Sequence, residues 1–419
     1  MSLEEIAAAY ATFERDLPRV WANDPRATEL NVWGGRWEPI ANMTAEDWEQ
    51  LGYAISNNTH LKSIFFSGGV FGNIRNGVDY EKLSSFFRGL TGSNTINTVS
   101  MMCNGFGVQG IHDMAPFLQN TSSLTNLDIS SNNIGSEGFN LLWRALCDSQ
   151  IKVLNCRNCG IDSIEIDINH VPKNLDSLKL AGNNINTDGC RELAKLLQRG
   201  DYALTNLNLE QNKINDEGVG ILVHALQSNT SLKCIYLGWN KDITKEGLTL
   251  LLKLVLDISS IKATLGSNHT LRSIVLNYTG EDESAILMQR QINTVPIGAT
   301  AKVIHSLCCD ARAKLCRSLG VEQSNASFYS QFHPLHLPEV LALTGKYHGQ
   351  GDLCIALRWC LDELFATVNK EAYLKEQIDY HTGEIKFHQS KRNELQAELA
   401  SIQGADYREY HSAKRPRIE

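Results

Sequence analysis

The sequence predicts an α/β solenoid: a curved parallel sheet on the concave side, helices on the convex side, and a helical C-terminal region. Two observations predict it. The phrase Leu124-x-x-Leu127-x-Ile129-x-x-Asn132-x-Ile134 returns as Leu175-x-x-Leu178-x-Leu180-x-x-Asn183-x-Ile185 and as Leu204-x-x-Leu207-x-Leu209-x-x-Asn212-x-Ile214. Most starts lie 27 to 29 residues apart, room for one strand and one helix per unit. Alternate residues of a strand point to one side, so the spaced leucines share an interior. The Asn amide, both donor and acceptor, can serve backbone groups that the following bend leaves unpaired. One unit cannot bury its own apolar face, so neighbours must stack.

Residues 1–56 read as an N-terminal helical cap. Ser2-x-x-Glu5 opens one helix and Thr44-x-x-Asp47 a second, both capping-box phrases. Trp21, Trp33, Trp37 and Trp48 fall here, and large flat side chains suit the covering of a raw solenoid end. About eight repeats then occupy 57–280. Leu61-x-x-Ile64-x-Phe66-x-x-Gly69 and Ile96-x-x-Val99-x-Met101-x-x-Asn104 precede Leu124, and Ile151-x-x-Leu154-x-Cys156-x-x-Cys159 follows it. After the Leu175 and Leu204 units come Leu232-x-x-Ile235-x-Leu237-x-x-Asn240 and Leu271-x-x-Ile274-x-Leu276. The unit from Ile151 departs: Asp162-Ser163-Ile164-Glu165-Ile166-Asp167-Ile168 alternates and predicts an extended outer segment where its neighbours have helices.

Between the phrases, Leu141-Leu142-x-x-x-Leu146, Leu193-x-x-Leu196-Leu197 and Leu222-x-x-x-Leu226 have helical spacing, each introduced by an acidic turn and a glycine (Gly138, Gly189, Gly218). Residues 281–361 read as a helical C-terminal cap. Residues 362–403 read as a long helix or coiled coil, with a 3-4 spacing from Leu374 to Ile402 that would pair two copies through 371–403. Residues 404–419 form a disordered tail with a basic end.

The L-x-x-L-x-L-x-x-N phrase is the leucine-rich-repeat signature. With Asn-x-Ser/Thr-Leu before the strands and the acidic-glycine turns, the chain resembles the ribonuclease-inhibitor-like class over about residues 57–280. The resemblance implies the fold. It also implies a binding role, because that class hosts inhibitors, GTPase activators, innate-immune sensors and scaffolds.

Composition narrows the function. A net charge of −8 and pI near 5.9 give no basic face for nucleic acid. No apolar run reaches the length of a spanning helix, so no membrane association is expected. The start lacks the basic and apolar regions of a secretory signal. The expected setting is intracellular, cytoplasmic or nuclear, with the eleven cysteines as free thiols. The sequons at Asn120, Asn229 and Asn268 then mark turns leading into strands.

No catalytic constellation, cofactor motif or metal set emerges. Cys156-x-x-Cys159 lacks a second pair for zinc, and the repeat register accounts for both thiols. His333, His336 and His348 lack a matching acidic partner. Gly105-x-Gly107 lacks the lysine of a phosphate loop. The expected function is non-enzymatic: an adaptor binding a protein or peptide on the concave face. The alternative is a GTPase-activating regulator resembling the Ran-activating members, although this chain lacks their long acidic tail. Outward strand positions nominate Asp128, Arg157, Lys179, Glu210, Tyr236, Trp239 and Tyr278 as the contact residues. Lys414, Arg415 and Arg417 form a basic cluster suited to a nuclear import receptor.

Overall fold

The computed structural model describes residues 14–34, 40, 42–73, 77–199, 204–257 and 266–276, with 382, 386, 389–394 and 396. The first capping box, Trp37, Tyr278, the segment 281–361, most of 362–403 and the basic tail lie outside the described residues.

Nine strands among the described residues form one sheet. It begins with β1 (Glu29–Trp33) and β2 (Ser63–Ser67). A short antiparallel hairpin, β3 (Gly72–Asn73) and β4 (Gly77–Val78), interrupts the sequence order. The sheet continues through β5 (Thr98–Ser100), β6 (Asn126–Asp128), β7 (Val153–Asn155), β8 (Ser177–Lys179), β9 (Asn206–Asn208), β10 (Cys234–Tyr236) and β11 (Ser273–Val275). Every neighbour pair in it is parallel, and the middle apolar residues stand in one register: Leu30, Ile64, Val99, Leu127, Leu154, Leu178, Leu207, Ile235 and Ile274. All nine are buried, so the core is a continuous strip shared between repeats.

β1 lies inside the segment assigned to the cap. Ala27, Leu30 and Val32 fill the Leu-x-x-Leu-x-Leu positions and are buried. The phrase is hard to see because alanine stands first and Gly35 takes the Asn place. Of the N-terminal tryptophans, Trp48 fills the interior against Phe66, Phe71 and Phe86, with ring centroids 4.6 to 5.9 Å away. Trp21 is exposed, and Trp33 is half-buried at the outward end of β1.

The other layer is helical: α1 (Ala45–Asn57), α2 (Tyr80–Leu90), α3 (Val108–Asn120), α4 (Gly135–Ala145), α5 (Thr187–Leu197), α6 (Asp216–Leu226) and α7 (Lys245–Val255). Thr44 and Asp47 make the expected reciprocal capping box at α1. Gly138, Gly189, Gly218 and Gly247 each sit over the isoleucine four residues earlier. An added Cβ would come within 2.6 to 3.1 Å of Ile134, Ile185, Ile214 or Ile243, so a side chain there would force the isoleucine to shift. Leu142 and Leu146 are buried as the spacing predicts, whereas Leu141 is only partly covered, and Phe139 and Trp143 fill that layer instead.

Between α4 and α5 the chain from Asp162 to Asp167 is neither helix nor strand, as the alternation predicts; Ile164 and Ile166 point in. An extended segment cannot satisfy its own backbone, and flanking side chains do it instead. Ser136 Oγ accepts from the N–H groups of Asp162 and Ser163 at 3.1 and 2.9 Å. Asn140 accepts from Glu165 N–H at 3.0 Å, Glu192 accepts from Ile166 N–H at 3.2 Å, and Arg199 donates to the Ile168 carbonyl.

The repeated Asn stitches units together. Asn212 Nδ2 donates to Leu209 O of its own repeat at 3.1 Å and to Leu180 O of the preceding repeat at 3.0 Å. Its Oδ1 accepts from Ile185 N–H at 3.0 Å. Asn104, Asn132, Asn183 and Asn240 bridge the same way. A second set leads into the strands: Asn229 and Asn268 each accept two N–H groups ahead of Leu232 and Leu271, and both are buried. Asn120 is one position out of that register; it ends α3 and donates to Pro116 O, and Thr121 takes the buried place.

Candidate protein-binding face

Outward residues of the strands form rows across the sheet. The central row runs Asn31, Phe65, Ser100, Asp128, Asn155, Lys179, Asn208, Tyr236 and Val275. Its members divide by what they already touch. Asp128 Oδ1 accepts from Ser130 N–H at 2.9 Å and from its hydroxyl at 2.6 Å, while Oδ2 accepts from Asn155 Nδ2 at 2.7 Å. Asn155 accepts from Arg157 N–H at 3.2 Å, and Asn208 accepts from Glu210 N–H at 3.0 Å. Three central residues therefore close the strand ends in short side-chain turns. Sequence reading could not separate this duty from binding, because Asp and Asn serve both.

Lys179, Tyr236 and Arg157 make no side-chain hydrogen bond or ion pair among the described residues. Arg157 is exposed; Lys179 and Tyr236 are half-buried. Glu210 Oε2 accepts from Asn208 Nδ2 at 3.2 Å, leaving Oε1 open. In the next outward row, Ser67, Ser130 and Ala181 share the register of Arg157 and Glu210, yet all three are buried. Their short side chains do not rise clear of their neighbours.

The residue before each Asn position occupies the left-handed region: Gly68, Cys103, Ser131, Asn158, Gly182, Gln211 and Trp239, with φ between 52 and 79°. Five of these positions carry one more sheet-like bond, as in Ser131 N–H to Arg157 O at 2.7 Å and Gln211 N–H to Gly238 O at 2.8 Å. Glycine accepts that geometry readily and asparagine tolerates it, whereas a bulky residue such as tryptophan does not. Trp239 nevertheless holds φ of 61° with 49% of its surface exposed, a conformation costing about 1–2 kcal/mol for a residue with a Cβ. The sequence shows this only after the turn register is known.

Both cysteines of the Cys156-x-x-Cys159 motif are buried. Burial pushes the Cys156 thiol well up and the Cys159 thiol up to about 11, opposite to an activated thiolate. Cys159 stands at the Asn position and donates weakly from Sγ to Ile129 O and Arg157 O, both at 3.4 Å. Among the described residues no group of three His, Cys, Asp or Glu side chains could hold a metal ion, and no helix is long and apolar enough to cross a membrane. His333, His336 and His348 lie outside the described residues.

The family described as "Leucine Rich repeat" matches residues 121–139, 171–194, 204–220 and 228–252. "Ribonuclease inhibitor" of Sus scrofa is 31% identical over 251 residues, covering 58% of this chain and 45% of that protein. "NACHT, LRR and PYD domains-containing protein 9" of Bos taurus is 29% identical over 177 residues, 41% of this chain and 17% of that protein. The chain thus spans less than half the length of either relative. The repeated phrase, the parallel sheet backed by helices and these likenesses make the chain a leucine-rich-repeat protein of the ribonuclease-inhibitor-like class.

Proposed function

We propose that this chain is a non-enzymatic adaptor that docks a protein or peptide on the C-terminal part of its sheet face. Leucine-rich repeats make a protein-interaction module, and a solenoid offers its partner an extended concave wall. One observation carries the reading. Trp239 keeps its ring in solvent on a backbone geometry that the other six positions give to small or polar residues. A strained, exposed aromatic at a regular position marks a site where side-chain identity outweighs stability, and tryptophan and tyrosine often anchor interfaces. Tyr236 stands beside it, with Glu210, Lys179 and Arg157 on the preceding strands and turns.

The test is affinity capture from the source cell with the full chain and with the double substitution Tyr236→Ala, Trp239→Ala. A specific partner should be retained by the first and weakened by ~2 kcal/mol or more in the second, while circular dichroism stays unchanged. Equal retention by both chains would remove the proposal.

A further inference from the structure

We infer that the boundary before the Ile151 unit is a joint. The sheet stays continuous across it, the helix layer opens there, and the solenoid folds as two cooperative blocks, one on each side. The joint stands independently of the docking reading above.

Three observations meet at that boundary. α1 packs on α2, α2 on α3, α3 on α4, α5 on α6 and α6 on α7, whereas α4 and α5 do not pack on one another. The extended segment between them buries Ile164, Ile166 and Val171, where α5 buries Cys190, Leu193, Ala194, Leu196 and Leu197. The ladder is thinned at the same place. Of the six units from Ile96 to Leu232, five carry the ladder Asn and the Ile151 unit carries Cys159. Its thiol reaches Ile129 O of the preceding unit at 3.4 Å, against 2.9 Å from Asn132 to Met101 O. A thiol also lacks the carbonyl with which Asn132 accepts Asn104 N–H.

The sheet does the opposite. β6 and β7 pair in register, Lys152 N–H donates to Thr125 O at 2.7 Å, and Ile129 N–H donates to Asn155 O at 3.0 Å. The boundary is therefore joined on the concave side and weak on the convex side, so the ladder is the axis about which it opens. Solenoid stability is close to a sum of units and nearest-neighbour interfaces, and cooperativity divides at the weakest interface. The extended segment reports the opening directly. The N–H groups of Asp162, Ser163 and Glu165 are held by Ser136 and Asn140 across the boundary, so they lose protection whenever the layers part.

The full chain labelled with 5-fluorotryptophan tests this by 19F NMR through a urea titration. Trp48 and Trp143 report the first block and Trp239 the second, each assigned by its loss in the Phe variant. Asn104→Ala strands Phe66 O, Met101 O and Val70 N–H in the first block. It should lower the Trp48 and Trp143 midpoints by roughly 1 M urea and leave Trp239 in place. Asn212→Ala should do the reverse. Native-state hydrogen exchange locates the joint: the Asp162, Ser163 and Glu165 amides should exchange at least about tenfold faster than those in the middle of α4 and α5. All three tryptophans shifting together in either variant, Trp143 following Trp239, or equal protection of those amides and the two helices would overturn the inference.

Discussion

Asn132 Oδ1 accepts the backbone N–H of Asn104 at 3.0 Å, and the Asn132 amide donates across the same boundary to Met101 O at 2.9 Å. One side chain thus ties two repeats at the turn where the sheet ladder ends. Because the position recurs, the ties form a buried ladder alongside the leucine strip.

Breaking one rung should be expensive. Asn212→Ala strands Leu180 O, Leu209 O and Ile185 N–H in the interior. Urea unfolding should show a loss of about 2–4 kcal/mol. A loss below ~0.5 kcal/mol would mean water reaches those groups.

The reverse change is also informative. Cys159 fills a ladder position with only two weak 3.4 Å thiol contacts. Cys159→Asn should restore a full rung and raise stability by about 1 kcal/mol, read as a higher urea midpoint at unchanged slope.

Trp239 should trade in the opposite sense. Trp239→Gly relieves the left-handed geometry at φ of 61°, and stability should rise by about 1 kcal/mol while partner capture falls. Gln211→Gly, with φ of 54°, is the control: similar relief, no change in capture.

Helix α7 borrows its cap from the repeat before it. Asp216 accepts from Thr244 N–H at 2.8 Å, Thr244 Oγ1 at 2.6 Å and Gly247 N–H at 3.0 Å. Asp216→Ala should cost about 1–2 kcal/mol. Hydrogen exchange should localise the loosening to 244–248, one repeat away from the substitution.

Alkaline pH should expose the buried thiols. Burial raises Cys190 to about 12 and Cys159 to about 11. An unfolded thiol titrates near ~8.5, so the folded chain holds protons that the unfolded one has lost. The stability these groups supply is complete below about pH 8.5 and falls as pH rises through 9 to 12. Cys190→Ala should flatten that fall; parallel pH curves for both chains would contradict it. At neutral pH, maleimide should label exposed Cys103 well before Cys156, Cys159 or Cys190.

The sequence by itself determined the solenoid, because stacking requires the same few residues at every turn: spaced leucines for the shared strip, an asparagine for the bend, a glycine where helix meets turn. It also marked the extended segment after Ile161, since alternation has a different period from a helix. Tertiary structure alone decided which outward residues remain available. Asp128, nominated from the sequence as a contact residue, bonds its own strand end, as Asn155 and Asn208 in the same row do. Ser130 and Ala181 face outward but do not rise clear of their neighbours. The β1 unit stayed hidden because Ala27 and Gly35 break the phrase, and only pairing with β2 reveals it. The strain at Trp239 is likewise invisible in one dimension, since it arises from the path that the neighbouring repeats impose on its backbone.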